Sequence, residues 1–96
     1  MPHSESVVNN QEKNRFEISQ GSQLSKLEYR MDGDDRIDLV HTEVPEELAG
    51  QGIGSSLVVA ALTYARQEEL KAIPSCPFVA SYVQRHPEWS DVVVEP

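Results

Sequence analysis

The chain has 96 residues, and charge is the skewed part of an otherwise ordinary composition. A chain of this length buries about two-thirds of its unfolded surface, which supports one compact core and excludes a two-domain enzyme. Sixteen acidic residues against eight basic ones give a net charge of −8. Because nucleic acids and anionic membranes attract clustered Lys and Arg, we expect neither as a partner.

Cysteine and histidine are too few for a disulfide framework or a zinc site. Cys76 is the single cysteine, and His3, His41 and His86 stand far apart in the sequence. One cysteine cannot form an intramolecular disulfide, which favours a reducing compartment. The N-terminal residues contain no apolar run typical of a signal peptide or a transmembrane segment. We therefore expect a cytoplasmic protein without a metal; the expected oligomeric state is a monomer or weak dimer.

The first half of the chain predicts a flexible lead-in followed by three antiparallel strands. Residues 1–13 are polar and predict the flexible N-terminal segment. Apolar residues alternate around 16–18 and again through 24–31, as in half-buried strands. Residues 32–35, Asp-Gly-Asp-Asp, are typical of a hairpin turn. Residues 36–44 then predict the third strand.

The second half changes to helical periodicity. Apolar residues recur at four-residue spacing over about 52–70 and predict an amphipathic helix. Residues 71–74 predict a brief strand, and Ser75 or Cys76 is positioned to cap a second helix with Pro77 in its first turn.

This second helix should end near His86, since the residue before a proline avoids helical geometry. Phe78, Tyr82 and Val83 are expected on its buried face, and residues 91–94 predict a final short strand. The order β-β-β-α-β-α, with that last strand optional, indicates the α+β class, with a mostly antiparallel sheet packed against two helices. One domain is expected to cover residues 14–96.

Three glycines stand between the third strand and the long helix. Gly50, Gly52 and Gly54 permit tight or left-handed backbone and leave no side chain to obstruct a ligand. The first helical turn then offers unpaired N–H groups and a partial positive charge, which together bind anions such as phosphates. A glycine-rich helix entry that binds nothing remains an alternative at this point.

Two familiar nucleotide sites do not fit these glycines. No Lys followed by Ser or Thr comes after them, so the segment is not a P-loop. It also lacks the Gly-x-Gly-x-x-Gly pattern that opens a parallel βαβ unit, which disfavours a Rossmann dinucleotide site.

The segment Ala49-Gly50-Gln51-Gly52-Ile53-Gly54 resembles the pyrophosphate loop of the GNAT superfamily of N-acetyltransferases, Gln/Arg-x-x-Gly-x-Gly/Ala. Both defining glycines match, whereas Ala49 stands where Gln or Arg is usual. The chain resembles more closely the minimal YjdJ/NATD1-like branch of small predicted acetyltransferases, over about residues 14–94. Besides the loop, the resemblance is carried by His41-Thr42-Glu43-Val44-Pro45, by Ile73-Pro74-Ser75-Cys76-Pro77-Phe78 and by Arg85-His86-Pro87-Glu88-Trp89.

The resemblance implies a GNAT-like fold that binds acetyl-CoA as co-substrate. Backbone groups near Glu43 and Val44 would pair with the pantetheine arm, and the loop N–H groups would hold the pyrophosphate. Fixed dipoles rather than cations would then face the phosphates, which a chain of net charge −8 allows. The residues it implies for the cofactor are Thr42, Glu43, Val44, Ala49, Gly50, Gln51, Gly52, Ile53, Gly54, Ser55, Cys76 and Arg85.

Two residues are candidates for the chemistry. A free cysteine is commonly a small buried hydrophobe, but Cys76 is predicted at a helix N-terminus, where the dipole favours the thiolate. It could accept the acetyl group, or only line the groove while an amine attacks directly. His41, at the end of the third strand, suits a general base, although a lone histidine is more often structural. Glu43 is the alternative base, and Tyr82 an optional proton donor.

The sequence therefore predicts an N-acetyltransferase for a primary amine, on a protein lysine or a small molecule. The acidic first half favours a cationic acceptor. The alternative hypotheses are a non-catalytic module that binds CoA or acyl-CoA and an interaction domain that binds neither.

Overall fold

The computed structural model describes residues 7–94, which form one five-stranded sheet and two α-helices. The strands lie side by side in chain order. One mostly antiparallel sheet with two helices confirms the expected α+β class. The strands are β1 (Val8–Asn10), β2 (Arg15–Gln20), β3 (Gln23–Asp32), β4 (Arg36–Glu43) and β5 (Lys71–Ile73), and the helices are α1 (Ile53–Gln67) and α2 (Pro77–Arg85).

The antiparallel part of the sheet follows the alternation of the sequence. Phe16 and Ile18 of β2 are buried, as are Leu27 and Tyr29 of β3, while the residues between them are more exposed. The hairpin predicted at residues 32–35 is confirmed, since β3 and β4 flank it and Gly33 takes the positive φ of +74° that the turn needs.

Strand β1 is a departure from the predicted flexible lead-in. It pairs antiparallel with β2 from Val8 opposite Glu17 to Asn10 opposite Arg15. The Tyr29 hydroxyl donates a hydrogen bond to the Asn9 side-chain oxygen at 2.8 Å. The predicted flexibility is therefore wrong for β1. The strand is held by backbone hydrogen bonds to β2, which polar residues make as well as apolar ones do. Residues 1–6 lie outside the described residues.

Strand β5 is parallel to β4, and α1 is the crossover between them. The pairing is short, from Arg36 opposite Lys71 to Asp38 opposite Ile73, and then the two strands diverge. Beyond this point the Cys76 N–H donates to the Leu39 carbonyl at 2.8 Å. The divergence leaves β4 without a β5 partner over its second half.

Both helices pack against one apolar cluster that also includes the inward side chains of the sheet. Helix α1 contributes Leu57, Val58 and Leu62, none of which is exposed, and α2 contributes Val79. The other face of the sheet carries charged cross-strand pairs such as Arg30 with Asp38. The groups that could contact a ligand therefore lie at the rim of the helix-covered face.

The ends of two predicted elements differ from the structure. Helix α1 is shorter than the predicted 52–70, because Glu69 takes a left-handed φ of +59° that ends it. The predicted last strand is reduced to a single parallel bridge between Ala72 and Val93. Within residues 7–94, no helix is both long and apolar enough to cross a membrane.

Candidate active site

A cavity of about 380 Å³ opens where β4 ends and α1 begins. The end of β4 forms one wall, the glycine loop and the first turn of α1 form the second, and a side chain of α2 forms the third. None of the residues that line it has an ionisable side chain, so its polarity comes from backbone and hydroxyl groups. The lining residues are Thr42, Val44, Leu48, Ala49, Gly50, Gly52, Ile53, Gly54, Ser55 and Phe78.

Two glycines of the loop are required by backbone conformation. Gly50 has a φ of +85° and Gly52 a φ of +79°, in the region that side chains disfavour. A Cβ atom at either position would meet nothing within 4 Å. Space is therefore available at both glycines, and the turn itself is what excludes other residues. The turn brings the beginning of α1 to the cavity.

The N-terminus of α1 faces this cavity without a capping side chain. Gly52 is the N-cap residue, its carbonyl accepts the Ser56 N–H at 3.0 Å, and no side chain bonds to the first turn. The N–H groups of the first turn have no partner inside a helix, and the helix dipole gives them a partial positive charge. With no acidic residue in that turn, the cavity offers a site for an anion.

A bulge in β4 decides which side chains face the cavity. Tyr29 of β3 lies opposite Leu39, and Glu28 lies opposite His41, so Val40 is an extra residue in β4. In unbroken alternation His41 would share the inward face with Leu39. The extra residue instead turns Thr42 inward and His41 outward.

Cys76 lies directly behind Thr42. The Sγ atom is 3.4 Å from the Thr42 Oγ1 atom, and the residue is 4% exposed. Cys76 is the N-cap of α2, with Pro77 in the first turn as predicted, and its carbonyl accepts the Ala80 N–H at 2.9 Å. The thiol is therefore held beside the cavity wall at the beginning of a helix.

A buried carboxylate fixes the connection that carries Cys76. Asp38 is 8% exposed on the charged face of the sheet, where β4 and β5 separate. It accepts a hydrogen bond from the Ser75 hydroxyl and one from the Arg30 guanidinium at 3.1 Å. Together with the backbone bond from Cys76 to Leu39, the bond between Ser75 and Asp38 fixes the segment between β5 and α2 to β4 at two successive residues.

The structure does not bring His41 and Glu43 into the cavity. Both side chains are more than half exposed, and the His41 Nε2 atom lies 3.6 Å from Glu43 Oε1. Lys26 of β3 is 3.7 Å from the same carboxylate. His41 and Thr42 face opposite sides of β4, so His41, the predicted general base, lies on the side of the strand away from Cys76.

Arg85, which the resemblance implied for the cofactor, and Tyr82, the optional proton donor, also lie away from the cavity. Arg85 is at the C-terminal end of α2 and donates to the Ser81 hydroxyl at 3.1 Å. Tyr82 is stacked on His86 with ring centroids 4.1 Å apart. Burial, aided by the nearby Glu88 carboxylate, raises the pKa of Tyr82. None of them lines the cavity.

Eight of the residues that the resemblance implied for the cofactor do surround the cavity: Thr42, Val44, Ala49, Gly50, Gly52, Ile53, Gly54 and Ser55. Their role in binding stays a prediction, as does that of Gln51, which is an exposed residue of the loop. Sequence reasoning missed two lining residues, Leu48 and Phe78. Phe78 was expected on the buried face of α2 but is 40% exposed at the cavity. No local sequence signal identifies this position, because the contact of Phe78 with Gly54 depends on how α1 and α2 pack.

Comparison with known proteins relates this chain to a protein family. The family model described as GCN5-related N-acetyl-transferase matches residues 15–92. The chain is 41% identical to the protein NATD1 of Homo sapiens over 61 residues, 64% of this chain and 54% of that protein. It is 32% identical to the Danio rerio NATD1 over 83 residues, 84% of this chain and 76% of that protein. The chain thus spans little more than half the length of several curated relatives that it matches.

A solved structure supports the same assignment. The solution NMR structure of a GCN5-like N-acetyltransferase candidate from Staphylococcus aureus superimposes with a TM-score of 0.76 at 30% identity. The alignment covers 100% of this chain and 93% of that one. With the fold, the loop and the family model in agreement, the chain belongs to the GCN5-related N-acetyltransferase family.

Proposed function

We propose that the chain is an acetyl-CoA-dependent N-acetyltransferase that acts on a primary amine, of a protein lysine or of a small molecule. The observation that carries the proposal is the cavity, which has an uncapped helix N-terminus at one end and the Thr42–Cys76 contact at its wall. Membership of the family supports the same activity.

Backbone groups would hold the CoA moiety. The N–H groups from Gly50 to Ser55 would donate to its pyrophosphate, and those of Glu43 and Val44 would pair with the pantetheine arm as an added strand does. No Lys or Arg lines the cavity. Binding would then depend on fixed dipoles, which is compatible with the net charge of −8.

Acetyl-CoA supplies an activated acetyl thioester, and two routes lead from it to the amine. In the direct route the residues around Thr42 would orient the thioester against the incoming amine. The amine nitrogen bonds to the acetyl carbon, the bond to the CoA sulfur breaks, and CoA leaves as the thiol with the proton that the amine loses. In the covalent route the Cys76 sulfur bonds to the acetyl carbon, the bond to the CoA sulfur breaks, and CoA leaves as the thiol. The amine nitrogen then bonds to the acetyl carbon, the bond to the Cys76 sulfur breaks, and the proton that the amine loses restores the Cys76 thiol.

The acceptor in this proposal is cationic. Glu43, Glu46 and Glu47 are exposed in the segment that leads from β4 into the loop. Carboxylates at the entrance attract an ammonium group and steer its approach.

One alternative has a specific observation in its favour. The cavity has no ionisable side chain among its lining residues, and Ala49 stands where related loops carry Gln or Arg. A module that binds CoA or acyl-CoA without turnover needs no base at all. Binding without turnover against any amine would favour this alternative.

Binding is tested first, by the change in thermal midpoint on titration with CoA or acetyl-CoA. A ligand that binds only the folded chain raises the midpoint as its concentration exceeds Kd. We expect both to raise it, and inorganic phosphate alone to raise it less. An unchanged midpoint with both ligands would contradict the proposal.

Transfer is tested by the release of free CoA from acetyl-CoA in the presence of each candidate amine. We expect release to depend on the amine. The intact mass of the protein after incubation with acetyl-CoA alone separates the two routes, with Cys76→Ala as the matched control. An acetyl adduct that is lost in Cys76→Ala supports the covalent route. Amine-dependent turnover retained in that variant supports the direct one.

A further inference from the structure

Phe78 is an exposed aromatic side chain that the proposed mechanism has not used. Four large apolar side chains of the described residues are exposed, namely Val8, Leu24, Met31 and Phe78. Of these only Phe78 lines the cavity. Covering an exposed aromatic ring removes apolar surface from water and is favourable, so a ligand that packs on the ring gains affinity from it.

The Phe78 ring rests on the third glycine of the loop. A Cβ atom on Gly54 would lie 2.8 Å from the ring Cζ atom and 3.0 Å from Cε2. Gly50 and Gly52 differ from Gly54, because they have positive φ and open space around them. Gly54 is thus required by the ring against it, whereas the first two glycines are required by the turn.

Phe78 also connects the two ends of the cavity. Its ring touches Gly54 in the first turn of α1, and its backbone is two residues beyond Cys76. Thr42 and Val44 form the wall of the cavity contributed by β4. A flexible chain that lies in the cavity beyond the anion site would contact that wall on one side and the ring on the other.

We propose that Phe78, seated on Gly54, is the surface against which the pantetheine arm of CoA packs, and that it makes the site select CoA over a nucleotide without the arm. This inference rests on the proposed function, because it assumes that the anion site takes the CoA pyrophosphate. It assigns to Gly54 the task of positioning Phe78.

The first test compares two ligands. Dissociation constants are measured for CoA by calorimetry, and for 3′-phosphoadenosine 5′-diphosphate, the nucleotide part of CoA, by competition against CoA. We expect Phe78→Ala to weaken the affinity for CoA about tenfold or more and to leave the affinity for the nucleotide unchanged. Phe78→Leu, which keeps an apolar side chain at this position, should lose less affinity for CoA. Leu24→Ala, an exposed apolar position on the sheet, is the matched control and should change neither constant.

A double-mutant cycle tests the role of Gly54. We expect Gly54→Ala to weaken the affinity for CoA by displacing the Phe78 ring. In the Phe78→Ala background, the same substitution should cause no further loss of affinity. The thermal midpoint of each variant shows that it is folded, and the Phe78→Ala background relieves the contact that could unfold Gly54→Ala.

Three results would overturn the inference while the proposed function stands: CoA affinity unchanged in Phe78→Ala, an equal loss for CoA and the nucleotide, or additive effects in the cycle. If the unaltered protein does not bind CoA, the proposed function and this inference both fail.

Discussion

The two ends of helix α1 differ in the contacts that they make with the rest of the protein. The N-terminal end has no capping side chain, follows two glycines with positive φ and opens onto the cavity. At the C-terminal end, Arg66 lies over the Trp89 ring at 4.5 Å, and its guanidinium donates to Asp91 at 2.6 Å and to the Glu88 carbonyl at 3.2 Å. Glu69 completes that end with a left-handed residue.

The difference shows where the fold leaves polar groups for a ligand. Both ends of a helix carry backbone groups that lack intrahelical partners. One end of α1 is held by contacts within the protein, whereas the other keeps its N–H groups directed at open space. The ends are about 20 Å apart for a helix of this length. Substitutions at one end should therefore change binding, and those at the other only stability.

The largest effect is expected from Gly52→Ala at the open end. A left-handed alanine costs about 1–2 kcal/mol of stability, and relaxation of the turn would move the N–H groups from the cavity. We expect CoA affinity to fall at least tenfold, measured by calorimetry beside the thermal midpoint.

Gly21→Ala is the matched control for this variant. Gly21 also has a positive φ, +61°, and open space around it, but it lies in the turn between β2 and β3. It should lose similar stability and keep its CoA affinity. Equal losses of affinity in both variants would show that the effect of Gly52 is only one of folding.

Arg66→Ala should have the next largest effect, at the closed end. The cation–π contact with Trp89 contributes about 0.5–1 kcal/mol, and the hydrogen bond to the Glu88 carbonyl is lost as well. We expect a lower midpoint of urea unfolding with unchanged affinity for CoA. A weakened affinity would break the separation between the two ends.

Glu69→Gly should give a smaller change of opposite sign. Glu69 has a φ of +59°, and the Leu70 N–H donates to the Ala65 carbonyl at 2.8 Å, as in a Schellman motif. Glycine removes the left-handed penalty but loses more chain entropy, so we expect a net gain of about 0.5 kcal/mol. Chemical denaturation measures it, and a loss of stability would mean that the Glu69 side chain makes a contribution of its own.

The smallest effect concerns acidic pH. The hydrogen bond from Arg66 holds the pKa of Asp91 below its ordinary value of 3.8. A depressed pKa stabilises the folded chain above the unfolded value and ceases to do so as pH falls through the folded one. The unaltered protein should thus have a higher unfolding midpoint than Asp91→Asn at pH 5, and this difference should shrink below about pH 4. A difference independent of pH would exclude this charge effect.

The glycine loop and the inward faces of the strands were predictable because they follow from local rules. Positive φ demands glycine at Gly50 and Gly52, and apolar alternation places Ile18 or Leu27 inward. The orientation of His41 was not predictable. A bulge adds one residue without a local signature, and Val40 resembles any other strand residue.

Phe78 was misplaced for a different reason. Helical periodicity gives the spacing of a face but not the neighbour that it meets, so the first turn of α2 could not be assigned to the core or to the cavity. The contact with Gly54 joins two elements that are distant in sequence. Contacts of this kind depend on how α1 and α2 pack, which local sequence does not determine.

The parallel pairing of β4 with β5 has a consequence for the order of assembly. The meander from β1 to β4 closes by short turns, whereas β5 joins the sheet only after the chain has crossed over through α1. Closing the longer loop costs more entropy, so we expect the meander to form first during folding. A nascent chain that lacks α2 would carry every loop glycine but lack the wall formed by Phe78. The site would then be completed only once α2 has been synthesised and has packed beside α1.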